Sequence, residues 1–295
     1  MKIIDALIKK IIERDNPTAL GLDTAPEYLP ENMAAATNCK SLACAVLDFN
    51  RAVIDATYDI VPCVKVQIAF YEALGVHGIE TFAKTLLYAK SKGLIVITDA
   101  KRNDIGSTSA AYGKAFLSEN APFACDFLTI NGYLGTDGIK SFTEYCKEDK
   151  GIFVLVKTSN PSSCEIQNME LKDGRHVYEL MSDLTLVWGS GCIGEYGYSN
   201  VGAVVGATHK AEAEILRQRH KNIFFLIPGY DAQGGSAADL AVSFDERGLG
   251  GIINNSRGIL CAYRNKYNGK SFDEAARLAA LDMKADLESY IRIRG

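Results

Sequence analysis

The chain has 295 residues, 47% of them hydrophobic and 23% charged. These are globular values at a length where α/β barrels run as one unit. A formal charge of −4 argues against nucleic acid or an anionic membrane surface as partner. The eight cysteines show no C-x-x-C pair and the four histidines no H-E-x-x-H spacing, so a zinc site is not expected. Scattered cysteines in apolar runs read as free thiols of a reducing cytosol.

The chain starts "MKIIDALIKKIIERDN", with Ile4, Leu7, Ile8 and Ile11 at helical spacing. Asp5, Glu13 and Asp15 argue against a transit peptide, and the run is far short of the roughly 20 apolar residues of a spanning helix. The expectation is a helix closing the base of a domain. Eight apolar or β-branched segments then read as buried strands: "TALGLD" (18–23), "CVKVQIAFY" (63–71), "LIVITDAK" (94–101), "FLTINGY" (127–133), "GIFVLVKTS" (151–159), "VGAVVGAT" (201–208), "IFFLIPGY" (223–230) and "GGIINNSRG" (250–258). Helix-like sequence separates most of them, as in "GIETFAKTLLYAKSKG" (78–93) and "HKAEAEILRQRHKN" (209–222). Strands alternating with helices imply parallel pairing with right-handed crossovers. Eight such units imply a closed (β/α)8 TIM barrel.

Two connections are long. "CKSLACAVLDFNRAVIDATY" (39–58) reads as a helix after strand one, and residues 160–200 form an insertion after strand five needing at least one helix. At the end, Ser271 and Glu274 have capping-box spacing, and Ala276, Ala280, Met283, Leu287 and Ile291 form one face. With no repeat or linker, residues 1–295 read as a single barrel domain.

Barrel chemistry sits at the C-terminal strand ends. Alternate strand residues share a face, so Asp99 and Lys101 point together with Ala100 opposite, as do Lys65 and Gln67. Asp23 closes the first strand and Asp104 follows the third. Two lysines and two aspartates can alternate at zero net charge, which keeps each ionised in a dry site. The plainer alternative is a solvated ion-pair cluster. "PGYDAQGG" (228–235) brings Gly234 and Gly235 to the seventh loop, and "NNSRG" brings Arg257 to the eighth strand end. Glycines admit backbone N–H groups to an anion, and arginine adds a bidentate fork. Loops seven and eight are the recurrent phosphate site of this fold, against a plain turn and a surface arginine as the bland reading. Leu155, Lys157 and Ser159 should share a face, which makes Lys157 a competing Schiff-base nucleophile. Ser159 and Gln233 suit an amide edge. Thr129, Asn131 and Thr208 read as ordinary strand-end polar residues.

"VITDAKRNDIGST" resembles the signature of the orotidine 5′-phosphate decarboxylase family, D-x-K-x-x-D-I-G/P-x-T, met from Asp99 to Thr108. "LGLD", "VKVQ", "TSNPS", "PGYDAQGG" and "NNSRG" extend the likeness in order along the barrel. "VVGAT" and the insertion match the longer branch. The resemblance implies conversion of orotidine 5′-monophosphate to UMP, closing de novo pyrimidine nucleotide synthesis, without metal or organic cofactor. It implies Lys65, Asp99, Lys101 and Asp104 as the charged catalytic network and Asp23 at the ribose hydroxyls. Ser159 and Gln233 would meet the pyrimidine and phosphate side, and Arg257, with the Gln233–Gly235 loop, the phosphate. It further implies a cytoplasmic homodimer in which Asp104, Ile105 and Thr108 cross into the neighbour's site, and leaves open association with orotate phosphoribosyltransferase, the preceding enzyme. Three rivals stand beside it: a magnesium-dependent sugar-phosphate decarboxylase or aldol synthase, for which Glu72 is the one extra acid offered, a Lys157 aldolase, and a catalytically silent nucleotide-binding barrel.

Overall fold

The structure, a computed structural model, describes residues 1–35, 38–230 and 235–294. Each expected strand is present: β1 Thr18–Gly21, β2 Cys63–Gln67, β3 Ile95–Arg102, β4 Phe127–Ile130, β5 Gly151–Lys157, β6 Val201–Val205, β7 Phe225–Pro228 and β8 Gly251–Asn255. All pair in parallel with their sequence neighbours, and β8 returns to β1, so the sheet is a closed barrel. The strands are mostly shorter than the apolar runs, because the tails curl into turns. After β2, for example, Ala69–Glu72 is helical.

Alternation sorts the strand residues into two cores. Ala19, Cys63, Ile97, Phe127, Phe153, Leu226 and Ile252 point inward, where the helix Ile3–Arg14 covers the lower barrel with Ile4, Leu7, Ile8 and Ile11. That closes the base, as the sequence led one to expect. Asp5, buried in this helix, accepts the N–H groups of Glu195 and Tyr196 and so ties it to the end of the insertion. Outward-facing Leu20, Val64, Val96, Leu128, Val154 and Ala203 pack under the helices, including Cys39–Thr57, Gly75–Ser91 and Phe272–Glu288. Full burial of each large apolar side chain stabilises by about 1.5–3 kcal/mol.

Arg217 is a second tie at the base. It donates to the carbonyls of Ser243, His220, Ile223 and Gly250 at 2.8, 3.2, 2.9 and 2.7 Å, and its guanidinium lies over the Phe225 ring. Burial pulls its pKa down to about 10, which leaves it charged at neutral pH. The insertion carries the short helix Cys164–Gln167 and the longer Val177–Gly189. Asp183 of the latter accepts from Arg175 and Arg219, each at 2.7 Å, fastening the insertion to the helix Lys210–Arg219.

The expected capping box at Ser271 is not formed. Ser271 makes no side-chain cap bond. Glu274 instead reaches the ammonium of Lys270, one turn earlier, at 2.6 Å, a charge-assisted bond that outcompetes the backbone N–H. The eight cysteines are free thiols, and among the described residues no helix is long and apolar enough to cross a membrane.

Candidate active site

A cavity of about 630 Å³ opens at the C-terminal end of the barrel. One wall is charged and one apolar. Asp23 follows β1, Lys65 stands on β2, and Asp99 and Lys101 on β3. Leu155, Val204 and Leu226, inward residues of β5 to β7, face the same space. Ser159 and Asn160 come from the loop after β5, and Asn254 to Arg257 from the end of β8.

The charges alternate in a chain. Lys65 Nζ is 2.9 Å from Asp23 Oδ1 and 3.1 Å from Asp99 Oδ2, and Lys101 Nζ is 2.7 Å from Asp99 Oδ1. Burial alone would pull Lys65 down, but the attraction and hydrogen bonds of Asp23 and Asp99 outweigh it and hold its pKa above the usual lysine value. Burial likewise pushes Asp99 up, yet Lys65 and Lys101 overcome it and hold its carboxyl well below the usual carboxylate range. Both groups therefore stay ionised through neutral pH although both are almost fully enclosed. The charges clustered at the end of a core strand are stable because each has an opposite neighbour. Lys101 ends the chain with a side chain 45% exposed, against 3% for Lys65.

The within-chain quartet is thus Asp23–Lys65–Asp99–Lys101, without Asp104. Asp104 Oδ1 accepts the N–H of Ile105, and Asp104, Ile105 and Thr108 lie outside this chain's cavity. Ile105 is 62% exposed. Gln67 also stays out of it and accepts from the N–H of Ala69 instead. Arg257 lines the cavity beside Gly229, whose φ of +104° turns the chain at the end of β7. Gly235 lies behind that wall, where a Cβ would meet the Cβ of Ala207 at 2.7 Å. Gln233 and Gly234 fall outside the described residues.

Lys157 corrects the expected alternation. β5 and β6 slip by one residue between Leu155 and Lys157, so Leu155 faces the cavity while Lys157 turns to the helix layer. There its ammonium donates to Asn168 at 2.6 Å and Ser163 at 3.2 Å, fully buried. It does not line the cavity. Glu72 pairs with Arg102 at 2.6 Å, also away from Asp99.

Thr129 was undervalued by the sequence reading. It lines the cavity and donates to Asp99 Oδ1 at 2.9 Å. The usable signal was its place two residues after inward Phe127, on the strand next to Asp99 and Lys101. Asn131 behaves as expected: its Oδ1 accepts from Tyr133 N in a local turn. Thr208 is exposed, its hydroxyl bonded to the Ser159 carbonyl.

The orotidine 5′-phosphate decarboxylase / HUMPS family model matches residues 39–272. The orotidine 5′-phosphate decarboxylase of Clostridium acetobutylicum is 44% identical over 98% of this chain and 100% of its own length. That of Clostridium tetani is 43% identical over 97% of each. Among solved structures, Leishmania donovani OMP decarboxylase superimposes with a TM-score of 0.78 at 27% identity, covering 98% of this chain and 99% of that one. Leishmania donovani UMP synthase gives 0.80 at 28%, with 98% of this chain matching 56% of that longer one. Matched along its length in sequence and in barrel, the chain belongs to the orotidine 5′-phosphate decarboxylase / HUMPS family.

Proposed function

We propose that residues 1–295 act as one barrel domain that decarboxylates orotidine 5′-monophosphate to UMP, in the cytoplasm, as the last step of de novo pyrimidine nucleotide synthesis. The observation that carries this is the ion chain ending in the accessible ammonium of Lys101. Breaking the bond from C6 to the carboxylate releases carbon dioxide and leaves the electron pair at C6, in the ring plane, where conjugation stabilises it poorly. A fixed ammonium stabilises that pair and then gives it a proton. Preorganised charge of this kind is usually the largest catalytic contribution. Asp99 and the apolar wall of Leu155, Val204 and Leu226 would flank the departing carboxylate, whose negative charge is least stable there. Asp23 would take the ribose hydroxyls and Ser159 the pyrimidine edge. Arg257 would grip the phosphate with the Gln233–Gly235 loop, and remote binding of that kind is converted into a lower barrier at the reacting carbon. These roles need neither metal nor organic cofactor.

We further propose a homodimer. Asp104, Ile105 and Thr108 would complete the neighbour's site, which accounts for their position outside their own cavity, and exposed Tyr133 and Leu134 lie on the adjoining loop after β4. Association with orotate phosphoribosyltransferase is a separate proposal, in line with the length of the UMP synthase beyond its matched part; co-purification of the two proteins tests it. The reading as a whole is tested by the ultraviolet change on adding orotidine 5′-monophosphate to EDTA-treated protein, with Lys101→Ala beside it. Conversion by the wild type alone is expected. Conversion only after magnesium is restored, or equal conversion by the variant, overturns the reading.

A further inference from the structure

β3 and β4 fall out of register beside the cavity. Thr98 pairs with Leu128 and Arg102 with Ile130, so Asp99, Ala100 and Lys101 all stand opposite the single residue Thr129. A bulge of this kind interrupts the ladder and leaves backbone N–H groups without a partner on the next strand. Thr129 Oγ1 accepts them, from Ala100 N at 3.0 Å and from Lys101 N at 2.9 Å. Its own hydrogen goes to Asp99 Oδ1. A hydroxyl has two lone pairs and one hydrogen, so this one is fully used, in a residue 1% exposed.

The bulge also sets an unusual backbone. Lys101 has φ of +49°, a left-handed conformation that side-chain-bearing residues avoid and that persists only where the surroundings impose it. The other such non-glycine among the described residues, Asp15, caps the end of the first helix. Lys101 has no such excuse. It sits within β3, and its own N–H makes one of the two bonds that Thr129 Oγ1 accepts.

We propose that Thr129 is a positioning residue. Its hydroxyl closes the β3 bulge, which keeps Lys101 left-handed, and at the same time orients the Asp99 carboxylate that holds the Lys101 ammonium. One side chain therefore fixes both ends of the Asp99–Lys101 pair. The kinetic part of this inference rests on the decarboxylase reading, and the geometric part does not.

The test compares Thr129→Val, which keeps shape but loses the hydroxyl, with Thr129→Ser and Thr129→Ala. A lost hydrogen bond to a charged group predicts a fall in kcat of about 10- to 100-fold for valine and alanine. KM and UMP affinity should stay within about threefold, since uniform binding is untouched. Serine should restore kcat to within about threefold of wild type, because it keeps the donor and acceptors. Crystal structures of the wild type and the valine variant (alanine if valine does not fold) should show Lys101 leaving the left-handed region and its contact with Asp99 lengthening in the variant. A wild-type kcat in the valine and alanine variants overturns the proposal, and so does a loss confined to KM. Serine as slow as alanine overturns it too. If the wild type does not convert orotidine 5′-monophosphate, the decarboxylase reading fails by itself. The structures then decide, and an unmoved Lys101 in the variant sinks the proposal.

Discussion

Lys65→Met removes the middle cation of the ion chain while keeping a stem of similar size. Lys65 touches Asp23 at 2.9 Å and Asp99 at 3.1 Å. At an effective dielectric of about 20, each attraction is about 5 kcal/mol before dehydration is counted. Removing one partner of a buried pair costs about 3–5 kcal/mol net. The lower end applies here, because Asp99 keeps Lys101 and Thr129, and Asp23, 24% exposed, can rehydrate. The expected outcome is a loss of about 3 kcal/mol in urea unfolding at neutral pH, read as a shift of midpoint at constant slope. The pH dependence follows from Asp99, whose folded carboxyl lies below its unfolded value. A depressed carboxyl contributes stability that is present above the ordinary aspartate pKa and is lost as pH falls toward the folded value. Without Lys65 the folded value climbs, so less is left to lose. The gap between wild type and variant should therefore narrow below about pH 4. The acid limb of kcat should move to higher pH in the variant for the same reason. An unchanged urea midpoint, or a gap that stays constant into acid, would refute the idea that the four charges act as one chain.

Two further outcomes bear on the assembly and the base. Lys101→Ala and Asp104→Ala homodimers should each be nearly inactive, and mixing them with subunit exchange should restore about a quarter of wild-type activity per site, since half the dimers then hold one intact site. Mixed dimers that form and stay inactive would place each site within one chain. Arg217→Leu strands four buried carbonyl contacts and should lower stability by about 3–5 kcal/mol while kcat of the surviving fold stays unchanged; a variant as stable as wild type in urea would make that arginine dispensable.

The barrel was legible because its signal is redundant. Eight apolar runs each end in polar residues, and inward and outward positions differ by simple alternation, so a slip in one strand leaves the architecture intact. The charge cluster was legible for a related reason: ionised side chains at the end of a core strand demand partners, and Lys65 on the neighbouring strand was the nearest candidate. The inclusion of Asp23 rather than Asp104 was not. It depends on where the first strand stops relative to the second, and Gly21 pairs with Lys65 itself, which sets Asp23 level with the ammonium. The roles proposed for Asp104, Ile105 and Thr108 rest on family resemblance alone, since nothing in the pattern of one chain says that a residue belongs to another chain's site.

Two register slips shape the site, and they act in opposite senses: one residue is extra on β5, which breaks alternation, and two are extra on β3, which keeps it. On β5 the extra residue turns Lys157 out of the barrel, opposite outward-facing Val205, and Asn168 and Ser163 receive its ammonium. On β3 the extra residues keep Asp99 and Lys101 on the cavity side at the expense of a left-handed Lys101. Both bulges sit at the C-terminal end of the barrel, where strands end and loops begin and where re-aiming one side chain disturbs the least packing. Neither leaves a mark in hydrophobic periodicity, because a bulge inserts a residue without changing residue type. Their trace lies in what satisfies the stranded backbone, and on β3 that is the hydroxyl of Thr129. A threonine facing a lysine across a strand end is thus informative only together with the register, which is why the cavity's two lysines on β2 and β3, and not the third on β5, share one ion chain.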